Sequence, residues 1–218
     1  MYRKAHDQLE NDNFEAAIKS YEQLEGRYPY GVYAQQAQLD IAYAYYRRGE
    51  KGSAIAACDR FIKLYPNHPK IDYAYYLKGL SLVGAKETDF LSGLMTPRQP
   101  LSERDSKSLE EAFDVFKYIL TKYPNGPYAA DAQKHLHLLT EGLAAHELIV
   151  ARYYLNRRAP LAAVNRAQKV IKTFPGTPSI EEALFIMAQG YDKLGMNDLR
   201  DDAIRVLRQN YPNSLFLN

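Results

Sequence analysis

An aromatic residue followed by proline recurs five times along the chain: Tyr28-Pro29, Tyr65-Pro66, Tyr123-Pro124, Phe174-Pro175 and Tyr211-Pro212. The prolines are separated by 37, 58, 51 and 37 residues, the spacing range of helix-pair repeats. The segments ahead of them also agree. Twelve residues before Pro stand Ala17, Ala54, Ala112 and Ala163, with Arg200 in the fifth copy. Eight before stand Tyr21, Cys58, Phe116, Ala167 and Ile204; five before stand Leu24, Phe61, Ile119, Val170 and Leu207. Positions three and four apart share one helical face, so each segment is predicted to be an amphipathic helix with one buried stripe. Proline ends that helix by driving the aromatic residue before it out of the α region.

After each of the first four prolines a short turn leads into a second kind of segment, "YAQQAQLDIAYAYYRRG", "YAYYLKGLSL", "YAADAQKHLHLL" and "IEEALFIMAQGYDKLG". Tyr33-Ala34 with Ala37, and Tyr128-Ala129 with Ala132, repeat a small-residue spacing of four that lets a neighbouring helix approach closely. The chain therefore reads as alternating A and B helices and resembles the tetratricopeptide repeat. The expected fold is all-α: about five helix-turn-helix repeats in a right-handed superhelix, forming one domain over 1–218. Its N-terminal repeats span about 1–123 and its C-terminal repeats about 124–218. Stability in such a solenoid comes from neighbour interfaces rather than one central core.

Two intervals are too long for the plain repeat. One carries "KETDFLSGLMTPRQPLSERDSKS" at 86–108, read as a structured loop with a role of its own. The other exceeds the ordinary interval by 14 residues, about four helical turns. It predicts one long A helix through "YAADAQKHLHLLTEGLAAHELIVARYYLNRRA", irregular at Gly142, whose extra turns project as a docking surface.

The chemistry is that of a binding protein. With 28 basic and 26 acidic residues the formal charge is +2, too balanced for an electrostatic nucleic-acid binder. The single Cys58 excludes an internal disulfide framework and a multi-Cys metal site, and its position in the repeat makes it a small buried hydrophobe. His135 and His137 fall on different sides of a helix and His146 lies nine residues further on, so no metal site is expected. There is no G-x-S-x-G, Gly-rich phosphate loop or H-E-x-x-H, hence no expected catalytic or cofactor site. "MYRKAHDQLE" has no apolar h-region and no run approaches 18 apolar residues, so neither a signal peptide nor a membrane span is expected in the chain as written.

The sequence has 19 tyrosines and no tryptophan. Tyr43, Tyr45 and Tyr46, then Tyr73, Tyr75 and Tyr76, place rings on more than one helix face. Some are expected to stack between helices, and others to line a concave surface suited to peptides. In "ARYYLNRRAPLAAVNRAQKVI" (Ala151 to Ile171), Arg152, Arg157, Arg158 and Arg166 surround one helix-turn-helix beside Tyr153 and Tyr154. Such a run reads either as a solvated face or as a positive partner surface.

"RYPYGVYAQQAQLDIAYAYY", "DRFIKLYPNHPKIDYAYYLKGL", "RDSKSLEEAF" and "VARYYLNRRAPLAAVNRAQKVI", taken in order, resemble the BamD (ComL) family of tetratricopeptide lipoproteins of the β-barrel assembly machine. The resemblance covers the whole chain. It implies a non-enzymatic, cofactor-free scaffold on the periplasmic face of the outer membrane. A lipidated N-terminal cysteine would anchor it, and since this chain has no early Cys that anchor is expected ahead of Met1. The resemblance further implies that C-terminal repeats bind the POTRA domains of BamA, that other assembly-machine lipoproteins are partners, and that N-terminal repeats receive unfolded outer-membrane proteins; no nucleic acid is implied.

The family's V-N-R motif matches Val164-Asn165-Arg166, so Arg166 is expected to face an acidic residue of BamA, with Asn165, Arg152 and Tyr153 on the same side. Tyr28, Tyr33 and Tyr43 are expected on the substrate side. Where the family commonly carries Asp-Pro in the insertion, this chain has Asp105-Ser106. Residue patterns alone leave other readings open: a periplasmic tetratricopeptide scaffold of the constriction or peptidoglycan machinery, an enzyme, or a cytoplasmic co-chaperone.

Overall fold

The computed structural model describes residues 1–31, 33–84 and 106–217. The expected structured loop at 86–108 lies outside the described residues except for 106–108, which begin a helix. The helices are α1 (Tyr2–Glu10), α2 (Phe14–Arg27), α3 (Ala34–Arg47), α4 (Lys51–Leu64), α5 (Ile71–Val83), α6 (Ser106–Lys122), α7 (Ala129–Asn156), α8 (Pro160–Thr173), α9 (Ser179–Lys193) and α10 (Asn197–Asn210). A 3-10 turn at Leu215–Leu217 follows. They form adjacent helix pairs, an all-α, tetratricopeptide-like solenoid architecture.

The aromatic-proline signal marks the end of every B helix. Helices α2, α4, α8 and α10 stop one residue before Pro's aromatic neighbour, which caps them at φ/ψ of −136/63 for Tyr28, −131/58 for Tyr65, −123/55 for Phe174 and −133/65 for Tyr211. The capping N–H still reaches back to Leu24, Phe61, Val170 and Leu207, at 2.8–2.9 Å, so the last turn closes before the chain departs. Each aromatic carbonyl then accepts a bond three residues on, from Gly31, His68, Gly126 and Ser214. In the fourth copy the Thr177 hydroxyl makes it instead, 3.0 Å from the Phe174 carbonyl.

Four of the A helices, α1, α3, α7 and α9, end by another device. The N–H groups of Asn13, Glu50, Ala159 and Met196 bond the carbonyls of Gln8, Tyr45, Tyr154 and Tyr191, five residues back. This is the Schellman arrangement, which needs a left-handed residue in between. Gly49 and Gly195 supply it at φ 75 and 72, whereas Asp12 and Arg158 adopt φ 57 and 58 without being glycine.

The buried stripe is where the repeat places it. Ala17, Ala54, Ala112 and Ala163, together with Tyr21, Cys58, Phe116 and Ala167, are fully buried, and Leu24, Phe61, Ile119, Val170 and Leu207 nearly so. The fifth copy departs: Ile204 is half-buried and Ala203 is buried in its place. With Arg200 in the preceding stripe position, Ala203 and Leu207 carry the buried face of α10.

The described residues group into two compact units, 1–84 with 107–136, and 137–217. In the first unit, consecutive helices pack from α1 to α5, and α6 closes on α5 where Gly79 meets the Phe116 ring. A Cβ on Gly79 would stand 2.7 Å from that ring, so only glycine admits the phenylalanine. In the second unit, α9 packs between α8 and α10. Gly190 there abuts Val164 so closely that a Cβ would overlap its Cγ2, which fixes the part of α8 carrying Val164-Asn165-Arg166. The long helix α7 has 28 residues and, contrary to the expected irregularity, runs unbroken through Gly142. Its residues to Leu136 belong to the first unit and those from His137 to the second. Among the described residues, no helix is long and apolar enough to cross a membrane.

Candidate partner-binding sites

In the first unit Tyr28 and Tyr33, each more than half exposed, line one open cavity of about 520 Å³ with Tyr2, Arg3 and Leu24. Tyr28 caps the end of α2 and Tyr33 the start of α3, and Tyr2 of α1 stacks on Tyr33 with centroids 4.8 Å apart. The Tyr2 hydroxyl donates to Asp40 Oδ2 at 2.9 Å. Gln36 donates to the other carboxylate oxygen at 2.7 Å, and Lys70 in turn donates to Gln36. Asp40 is buried, so this chain of bonds satisfies a charge that would otherwise be costly. Burial, then the Asp40 carboxylate, pushes the Tyr2 phenol above its ordinary value, which keeps it the donor.

Tyr43 lines no part of this cavity. It accepts a 2.7 Å bond from Arg47 and lies beside Tyr46. The other tyrosines of this unit largely bind helix to helix: Tyr76 stacks on Tyr128 at 4.7 Å and donates to Asp131, and Tyr75 packs on Tyr118. His135 is buried, stacked on Phe116 at 5.0 Å and 3.2 Å from Asp131; burial, which Asp131 only partly offsets, pushes its ring below the usual histidine value. Among the described residues no group of three or more His, Cys, Asp or Glu is placed to hold a metal. Cys58 is fully buried and its thiol is pushed up to about 12 by burial, which leaves it inert as a nucleophile.

In the second unit the arginines carry structural partners. Arg166 Nη1 donates to Glu147 Oε2 at 3.1 Å, and Lys169 Nζ to Oε1 at 2.7 Å. Glu147 sits on α7 with only 4% of its surface exposed. Burial alone would raise its carboxyl, but the bonds and charges of Lys169 and Arg166 outweigh it and hold the group below its ordinary value. Arg152 pairs with Glu182 of α9, and Arg157 lies over the Tyr153 ring, 5.4 Å from its centroid. Tyr153 and Asn165 are exposed. Thus Arg166 is directed onto α7 and Arg152 onto α9.

Sequence reasoning did not single out Tyr2, Asp40, Glu147 or Lys169. The available signal was a lone carboxylate inside an apolar helical stretch, Asp40 in "LDIAYAY" and Glu147 in "AAHELIVA", which must find a partner once buried.

Arg158 stands in the left-handed position that Gly49 and Gly195 fill at the corresponding ends of α3 and α9. A non-glycine residue there costs on the order of 1 kcal/mol or more. Arg158→Gly is therefore expected to raise stability by about 0.5–1 kcal/mol, after the entropy glycine loses on folding. Denaturant unfolding checks this; a loss of stability would mean that the arginine side chain itself holds the turn.

Helical pairs whose exposed functional groups are aromatic rings and arginines define a protein of the helical-repeat binding class. Residues 1–207 match the family described as YfiO, outer membrane lipoprotein, and the chain belongs to that family. It is 45% identical over 217 residues to the outer membrane protein assembly factor BamD of Neisseria meningitidis serogroup A, covering 100% of this chain and 80% of the relative. The protein of the same name from Xylella fastidiosa is 38% identical over 100% of this chain and 73% of its own length. That of Vibrio cholerae is 36% identical over 96% and 86%. Against these matches the constriction-machinery, enzyme and co-chaperone readings give way.

Proposed function

We propose that this chain is a non-enzymatic scaffold of outer-membrane protein assembly, held at the periplasmic face of the outer membrane as a lipoprotein. In this reading the C-terminal repeats bind the POTRA domains of BamA through Arg166, aided by Asn165, Arg152 and Tyr153. The cavity of Tyr28 and Tyr33 receives segments of unfolded outer-membrane proteins, and other lipoproteins of the machine complete the assembly.

The observation that carries the proposal is the posture of Arg166. Its side chain is 41% exposed while its buried partner Glu147 holds it in place. A guanidinium has five donors in a planar fork; one goes to Glu147 and the Tyr154 hydroxyl also engages the group, which still leaves donors on a preorganised edge for an acidic partner. Tyr28 and Tyr33 supply rigid aromatic area at low entropic cost for an extended, aromatic-ended peptide.

Calorimetric titration with the POTRA domains of the same organism's BamA tests the first half, and saturable binding is expected. A peptide copying the C-terminal segment of an outer-membrane barrel protein tests the second: it should bind, and Tyr28→Ala with Tyr33→Ala should weaken it at least tenfold. No heat with the POTRA domains, or peptide binding indifferent to both tyrosines, would contradict the corresponding half.

A further inference from the structure

A cavity of about 300 Å³ lies among α2, α3 and α4, away from the residues used above. Its origin is legible in the helix faces. Helix α4 lines it with Ser53, Ala56 and Ala57, too small to fill the space beside α2, and α3 contributes Ile41 and Tyr45 between them.

Two oxygens of the lining residues are buried with no hydrogen-bond partner, Glu25 Oε1 on α2 and Gln38 Oε1 on α3. Gln38 is only 9% exposed. Both orphaned atoms are acceptors, so what they lack is a donor. Glu22 adds a second carboxylate and Arg60 a single cation to the lining, which leaves the formal charge at one negative. Burial pushes the Glu25 carboxyl up, and Arg60 and Gln38 offset this only in part.

We propose that this cavity is a socket for one arginine side chain of a partner protein. The guanidinium is the side-chain group that presents several donors in one rigid plane, so it can meet a carboxylate and an amide oxygen together. Its charge answers the net negative lining. Its methylene stem has Ile41, Ala56, Ala57 and the Tyr45 ring to lie against. A neutral donor would satisfy the amide oxygen but leave the excess negative charge of Glu22 and Glu25 over Arg60 unanswered. The socket belongs entirely to the first unit and is independent of the Arg166 surface.

The test follows the Gln38 side-chain amide resonances of the full chain by NMR during titration with N-acetyl-arginine amide. A saturable shift is expected, at least tenfold weaker for the neutral N-acetyl-citrulline amide and at least tenfold weaker in Glu25→Gln. Ala57→Leu, which fills the cavity and leaves both oxygens in place, should abolish the response while melting like the wild type. The absence of a saturable shift, equal binding of the citrulline probe, or an unchanged response in the variants would overturn the proposal. Tighter binding of free arginine than of its blocked amide would overturn it too, by making this a site for the amino acid rather than for a chain.

Discussion

Replacing Phe116 by alanine is expected to destabilise the first unit by about 3–5 kcal/mol, the range for a fully buried aromatic ring. Phe116 is 0% exposed. It stacks on His135 at 5.0 Å, meets Tyr76 edge-on at 6.4 Å, and presses against the bare backbone of Gly79. The last contact sets the size of the effect. Where a phenylalanine is lost beside side chains, neighbours relax into the space, but Gly79 has nothing to move, so the cavity stays open and its full penalty is felt. In a repeat architecture openings are local. The increase in amide exchange should therefore concentrate in α5, α6 and the first turns of α7. Hydrogen exchange with denaturant unfolding reads both quantities; a loss below about 1 kcal/mol would mean that the three helices close over the gap, against this packing.

Reversing Arg166 to glutamate should cost about 2–4 kcal/mol of stability before any partner is added. Breaking a buried ion pair by removing one member typically costs about 3–5 kcal/mol; Arg166 is itself 41% exposed, so solvent screening and the Lys169 that remains on Glu147 soften that loss, whereas the new like charge beside the buried carboxylate adds to it. The sign with pH is fixed by Glu147. Its folded value lies below the ordinary 4.5, so the stability this cluster supplies is present above that pH and lost as pH falls through the folded value. Adding Glu147→Gln to Arg166→Glu should recover more than half of the penalty. Failure to recover it would show that Arg166 stabilises the fold by some route other than the buried carboxylate.

The repeat was legible because its stop signal is covalent. Proline removes the α conformation from the residue before it whatever surrounds it, so Tyr28, Tyr65, Phe174 and Tyr211 could be read as helix ends from order alone. The stripe followed from periodicity and faltered only at Ile204, in the copy that carries Arg200 where the others carry alanine. The second kind of helix end was less readable, because Asp12 and Arg158 take a left-handed conformation that composition attributes to glycine.

The candidate sites were legible by residue type but not by partner. Arg166 and Arg152 were visible in the sequence; that Glu147 and Glu182 answer them depends on which helices pack, and no local pattern carries that. Likewise Tyr43 shares a helix and a chemistry with the substrate-side expectation but points to Arg47, because ten residues of helix separate it from Tyr33 by most of a quarter turn. The internal ion pair also changes how the site must be probed. Charge reversal of Arg166 disturbs α7 as well as any partner, whereas Arg166→Gln leaves Lys169 to neutralise Glu147.

The most direct measurement is therefore calorimetric binding of the chain to the POTRA domains of its own organism's BamA, comparing wild type with Arg166→Gln under conditions where both are fully folded by circular dichroism. Wild-type binding with at least a tenfold loss in the variant, about 1.4 kcal/mol, is the expected result. Equal affinity of the two folded proteins would contradict the assignment of Arg166 to the partner surface.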